Sequence, residues 1–180
     1  MTSRARLVRS TTLYKGKVVR LTVDEVVEPG GVNARREVVR HSASVVVLPH
    51  LPDGRVLLVR QYRHAAHQSL WELVAGTLEP GENPLEAARR ELLEETGYHA
   101  RTLKPLFDFF PSPGFLSEQM HLFEARGLSR TKARPDADER IRIRRFTRGQ
   151  LGKMLRAKKI RDGKTLVGLL WLLHPFHLRS

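Results

Sequence analysis

Apolar and polar positions along this 180-residue chain alternate with a period of two over much of its length and change to helical spacing in three places. Residues 11–28 read as two short extended segments around Tyr14-Lys15-Gly16-Lys17. Val18, Leu21, Val23, Val26 and Val27 supply side chains suited to a pleated surface. Pro29-Gly30-Gly31 is a turn, and Arg36-Glu37-Val38-Val39-Arg40 is a third strand. Three strands of this size seldom stand alone, so they are expected to pack on the main body or pair with a second subunit. Residues 44–48 and 55–61 are apolar runs on either side of Pro52-Asp53-Gly54, a hairpin signal. Further strands are expected at 70–74, 103–110, 118–125 and 140–146, the last alternating outward Arg with inward Ile141 and Ile143.

The first helical stretch covers 84–96. Asn83 is a good N-cap, Pro84 suits the first helical position, Glu86 sits where a capping-box carboxylate reaches back, and Gly97 supplies the left-handed stop. At 100° per residue Leu85, Ala88 and Leu92 share one face, while Glu91, Glu94 and Glu95 gather on another. Thr147 starts a second helix through Lys158, with Leu151, Met154 and Leu155 inward. Asp162 starts a third that ends before Pro175. This last helix is apolar nearly all round, at Leu166, Val167, Leu169, Leu170, Trp171 and Leu173, and is expected to be deeply packed. Helices on both sides of a mixed sheet make an α/β/α sandwich. Residues 1–42 form a basic tail with a small β appendage, and 43–180 the main domain.

The length suits one compact domain with an appendage. The chain has no cysteine, which excludes disulfides, thiolate zinc sites and a thiol nucleophile. The N-terminus lacks an apolar signal region and the longest apolar run, 166–173, is too short to span a bilayer, so a cytoplasmic protein without a membrane partner is expected. The net charge of +13 is unevenly spread: residues 1–20 carry six basic and no acidic side chains, and 130–180 carry fifteen basic against four acidic. Such a field attracts phosphates in general. With no aromatic-rich or Gly/Arg repeat, a solvated Arg-rich surface is preferred to a nucleic-acid role.

The three carboxylates on the first helix are costly, because like charges one turn apart destabilise a helix by about 0.2–0.5 kcal/mol per pair. A hard divalent cation with oxygen ligands would turn this cost into a gain. In isolation, a solvated acidic face is the simpler reading. The spacing Gly76, five residues, Glu82, seven residues, Arg90-Glu91-Leu92, one residue, Glu94-Glu95, one residue, Gly97 then decides otherwise. It resembles the Nudix box at every fixed position, with Tyr98 where an aliphatic residue is more usual.

Beyond the box, Arg36-Glu37-Val38-Val39, Val59-Arg60-Gln61-Tyr62-Arg63, Glu72-Leu73-Val74-Ala75-Gly76, Ser112-Pro113-Gly114 with Glu118, and Asp162-Gly163-Lys164-Thr165 are similar to the ADP-ribose or ADP-sugar pyrophosphatase branch of the Nudix hydrolases. The resemblance implies a Nudix-type α/β/α sandwich and magnesium-dependent hydrolysis of a nucleoside diphosphate joined to a sugar, with manganese as the other candidate metal. By motif position it implies metal ligation by the Ala75 carbonyl, Glu91 and Glu95, with Glu94 helping to bridge or orient the ion. Arg90 braces the glutamates, and Glu139 in the Asp136-Ala137-Asp138-Glu139 loop is the general base, although Ala137 stands where relatives often carry another carboxylate. Arg36, Glu37 and Arg63 are implied at the adenine and diphosphate end, and Ser112, Gly114 and Glu118 at the ribose-phosphate side. A homodimer that exchanges N-terminal strands is implied as well. The alternatives are a GDP-mannose or other nucleotide-sugar pyrophosphatase, and a non-catalytic Nudix-fold module that binds nucleic acid. His64 and His67 have no partner set for a zinc site and are expected at the surface, with Trp71 and Trp171 as core or interface aromatics.

Overall fold

The structure, a computed structural model, describes residues 4–131 and 141–174. It divides into two compact units: one from the chain up to Ala43 together with Phe110–Gln119, the other from Ser44–Phe109 together with the chain from Met120 onward.

The first unit is an antiparallel sheet of β1 (Arg6–Lys15), β2 (Arg20–Val27) and β3 (Asn33–Arg40), in that order. β1 starts five residues earlier than its side chains announce. Arg6 to Ser10 contribute little apolar pattern, but β2 offers a backbone partner as far as Val27, opposite Arg6. The core of this unit is thin and partly polar. Asp24, 3% exposed, accepts from Ser10 Oγ at 2.6 Å and from Arg40, so one carboxylate ties all three strands. The Ser10 hydroxyl, then Arg40, hold that carboxyl below its usual range against the opposing effect of burial. The returning segment runs beside the end of β3, with Val39 N–H donating to the Phe115 carbonyl at 2.8 Å and Ser117 N–H to the Val39 carbonyl at 3.0 Å.

The second unit contains β4 (Ser44–Pro49), β5 (Val56–Arg63), β6 (Gln68–Glu72), β7 (Val74–Thr77), α1 (Pro84–Thr96), β8 (Tyr98–Phe109), β9 (Met120–Arg130), β10 (Arg142–Phe146), α2 (Arg148–Arg156) and α3 (Gly163–Leu173). One sheet has the order β7-β4-β9-β8 and is mixed, since β4 runs parallel to β9; the other is antiparallel, β10-β5-β6. All six residues of β4 are buried, and they alternate between two cores. Val45 and Val47 pack with Ala87, Ala88 and Leu92 of α1, while Val46 and Leu48 pack with Leu151, Leu169 and Leu172 of α2 and α3. A strand buried on both faces reads as a continuous apolar run because helices cover both sides. The expected α/β/α sandwich is present.

Four local expectations are corrected. Pro52-Asp53-Gly54 does turn the chain, with Gly54 N–H donating to the Leu51 carbonyl at 2.9 Å, but pairing stops at a single His50–Val56 bridge. Both edges of β4 are occupied by β7 and β9, so β5 is left to another sheet. The single strand expected at 70–74 is broken at Leu73, where the chain crosses between sheets and the Leu73 N–H donates to Thr165 Oγ1 at 2.8 Å. Ile143, expected inward, is 44% exposed on the edge strand β10, although Ile141 does pack against the α1-side core. α3 is packed over most of its surface but not all round: Leu169 and Leu172 are buried and Leu166, Trp171 and Leu173 pack against the same core, whereas Leu170 is 59% exposed.

Candidate functional site

α1 begins and ends as its sequence dictates. The Asn83 carboxamide oxygen accepts from Leu85 N–H at 2.8 Å, and Gly97 (φ 70) donates its N–H to the Leu93 carbonyl at 2.7 Å, a conformation that a side chain would strain. Glu86 does not complete a capping box. It lies 3.6 Å from Arg89, and the reciprocal Thr147–Gln150 box sits at α2 instead. The loop ahead of α1 is closed by Glu82, whose carboxylate accepts from Glu79 N–H at 2.9 Å while its own N–H donates to the Glu79 carbonyl at 3.0 Å.

Arg90 is the hub of this corner. Its Nε and Nη2 each donate to Glu82 at 2.9 Å, Nη1 donates to Glu91 at 2.7 Å and to Glu94 at 3.1 Å, and Nη2 also reaches the Thr77 carbonyl at 3.2 Å. One guanidinium therefore joins the loop to two of the three clustered carboxylates, the geometry to which a planar five-donor fork is suited. The Arg90 bonds hold the Glu82 carboxyl below its usual range, with the Glu79 N–H adding to the effect. The repulsion expected between the glutamates is thus met by a cation within the chain itself.

Gly76 explains why a glycine stands at the head of this motif. A Cβ built there would lie 1.9 Å from the carboxyl carbon and from one oxygen of Glu91. The carboxylate rests directly on bare backbone. Glu95 is half-buried, and its charge is close enough to Arg63 to favour that guanidinium's protonated form. The donors at this corner are all oxygen, which fits a hard divalent cation. Among the described residues no three acidic or histidine side chains converge on one point, since Glu91 and Glu94 turn their carboxylates onto Arg90.

A second network, which the sequence reading missed, lies just behind. Glu72 is fully buried and accepts from both Nε and Nη2 of Arg63 at 2.8 Å and from Lys164 Nζ at 2.5 Å. Lys164 also donates to Asp162 at 2.9 Å, and Asp162 caps α3 through Thr165 N–H at 3.0 Å and Thr165 Oγ1 at 2.6 Å. Burial works to raise the Glu72 carboxyl, but the Arg63 and Lys164 contacts outweigh it and hold it below its usual range. The signal was present as an acidic residue inside the apolar Leu70–Val74 run; such a carboxylate is buried only when paired. The network joins β5, β6 and the start of α3 to the strand that leads into Gly76.

The residues named from sequence fall as follows. Arg90, Glu91 and Glu94 are in direct contact, and Ala75 lies on β7 opposite Val46. Arg63 is committed to Glu72 by a two-point contact. In the first unit Arg36 is paired with Glu28 at 2.7 Å and Glu37 is exposed. Ser112 forms the turn that carries Gly114, its carbonyl accepting from Leu116 N–H at 3.0 Å. Glu118 lies 3.6 Å from His41. Glu139 lies outside the described residues. His64 and His67 are exposed, and Trp71 is half-buried against Phe146 with ring centroids 5.1 Å apart.

Residues 39–167 match the NUDIX domain model. The chain is 37% identical over 169 residues to the methanol dehydrogenase activator of Bacillus methanolicus, covering 93% of this chain and 91% of that protein. It is 36% identical over 162 residues to the ADP-ribose pyrophosphatase of Bacillus subtilis strain 168, covering 89% and 88%. A crystal structure of an ADP compounds hydrolase superposes with a TM-score of 0.81 at 22% identity over 94% of this chain and 92% of that one, a likeness of fold. With the glycine-seated glutamate, the arginine hub and a matching domain over most of its length, the chain belongs to the Nudix family.

Proposed function

We propose that the protein hydrolyses the diphosphate linkage of ADP-ribose or a related ADP-sugar, with a divalent cation, magnesium in the first place and manganese as a substitute. The observation that carries this reading is the seating of Glu91 on Gly76, with one arginine bonded to both Glu91 and Glu94. The likeness to an ADP-ribose pyrophosphatase over most of both chains supports the substrate class. Water adds across the anhydride, leaving one phosphate on each product, AMP and ribose 5-phosphate in the case of ADP-ribose.

In this reading Glu91, Glu94, Glu95 and the Ala75 carbonyl hold the cation. When bound there, the cation would supply charge neutralisation at the diphosphate and Lewis-acid activation of water. Arg90 orients Glu91 and Glu94 through charge-assisted bonds, and Glu82 fixes Arg90. Arg63 is fixed by Glu72 at the edge of the site. Arg36 and Glu37, with Ser112, Gly114 and Glu118, are assigned to the substrate, and Glu139 to the proton of the attacking water; these assignments rest on the sequence pattern.

A homodimer is part of the proposal. Every position of β1 is exposed, yet it carries Leu7, Val8, Leu13 and Tyr14 at 54–59% exposure, an apolar surface that a second copy suits. Sedimentation equilibrium is expected to return about twice the 20.6 kDa chain mass; a single-chain mass removes the dimer from the proposal.

The substrate reading is tested on a panel of ADP-ribose, GDP-mannose and a dinucleoside diphosphate, with magnesium and with chelator. ADP-ribose is expected to show the highest kcat/KM, and chelation to abolish turnover. Faster cleavage of GDP-mannose transfers the assignment to the guanosine sugar, and no cleavage of any member overturns it.

A further inference from the structure

We propose that the surface formed by β10 and α2 binds single-stranded nucleic acid, at a site separate from the acidic corner of α1. Residues 141–161 carry nine basic side chains, six Arg and three Lys, and no acidic one. The sequence alone favours a solvated face, but the fold gathers these cations around aromatic rings.

On β10, Arg142, Arg144 and Phe146 alternate onto one face, and Arg142 stands in register with Arg60 of β5, itself opposite Trp71 of β6. The rings of Trp71 and Phe146 meet edge to face. Arg60 lies 5.8 Å from the Trp71 centroid and Arg144 5.2 Å from that of Phe146. Flat guanidinium groups held over rings are pre-positioned to take a phosphate or to stack on a base. Beside them is a cleft of about 340 Å³ lined by Trp71, Arg144, Gln150, Lys153, Met154 and Lys159, with Phe146 at its floor. Among the described residues no carboxylate lines it. Its volume suits one nucleotide unit.

The site is distinct from the corner where Glu91 sits. Trp71 and Phe146 belong to the core under α2 and α3, whereas α1 packs on the opposite core. Cations also continue round the edge of β10: on its other side Arg145 donates to the Tyr98 hydroxyl at 2.8 Å and shares a second cleft of about 350 Å³ with Arg130. A single nucleotide would use three of these cations. A strand of several phosphates uses the row. Single strands are favoured over duplex because the exposed guanidinium planes of Arg60 and Arg144, backed by the rings beneath them, stack only on bases that are free to unstack.

The test is fluorescence anisotropy of a 5′-fluorescein-labelled fifteen-residue oligothymidylate. The unmodified protein is expected to bind with a log–log salt slope of several units. Lys153→Gln/Lys159→Gln, both exposed positions, is expected to weaken binding about tenfold and to reduce the slope by about 1.4, since each phosphate contact to a single strand contributes about 0.7. The control Arg101→Gln/Lys104→Gln removes the same charge from exposed positions of β8 and is expected to change affinity less than about twofold. Melting curves check that both variants fold. An equal loss in the control pair overturns the site, and so does duplex binding as tight as single strand. Thymidine monophosphate binding as tightly as the oligomer overturns the strand in favour of a small nucleotide. None of these outcomes depends on which sugar nucleotide the enzyme cleaves.

Discussion

Glu95→Gln is expected to lower kcat for ADP-ribose about 100-fold or more while the melting temperature stays nearly unchanged. The estimate follows from the charge that is lost: partners one step removed from a metal ligand already cost about 10–100-fold, and an anionic ligand should cost at least as much. Gln keeps the shape of the side chain on the last turn of α1, so packing is little affected. Its half-buried position and its field at Arg63 mean that the lost charge is felt inside the site rather than in bulk water. A manganese titration should show weaker binding in parallel. Turnover within about threefold of the unmodified enzyme would remove Glu95 from the proposed metal ligands.

Gly76→Ala is expected to cost about 10–100-fold in kcat/KM with a small change in stability, for a steric reason alone. The added methyl would occupy the place of the Glu91 carboxyl, 1.9 Å away, so the carboxylate must leave and its bond to Arg90 goes with it. Arg90 keeps both bonds to Glu82 and the loop stays closed, which is why folding is spared. The double variant Gly76→Ala/Glu91→Gln should then be little worse than Glu91→Gln, because both changes remove the same interaction. Full additivity would show that Gly76 serves some purpose other than making room for Glu91.

The α1 helix, its cap, its glycine stop and the acidic face could be read from the chain because each depends on neighbours within one or two turns. The sandwich was legible for a related reason: Val45 to Leu48 and Val56 to Val59 are unbroken apolar runs, and only strands covered on both faces read that way. What local pattern could not show was competition between distant partners. Pro52-Asp53-Gly54 announces a hairpin correctly, yet β4 has both edges filled by strands far along the chain. The apolar character of α3 says nothing about how many of its sides are covered. Arg90 was legible as a brace; that one guanidinium also holds Glu82 with two bonds depends on how the loop folds back onto α1.

Glu72 carries a consequence for how this protein can change. Stripping away either Arg63 or Lys164 leaves the buried Glu72 carboxylate with one cation instead of two, a loss of about 1.5–3 kcal/mol for the charged hydrogen bonds that go with it. Whole domains are stable by only about 5–15 kcal/mol, so no single step at these positions is cheap. Simultaneous exchange of all three for apolar side chains of similar bulk need not be destabilising at all. Positions 63, 72 and 164 therefore form a lock in sequence space, and libraries that randomise one of them at a time should recover almost nothing but the parent residue.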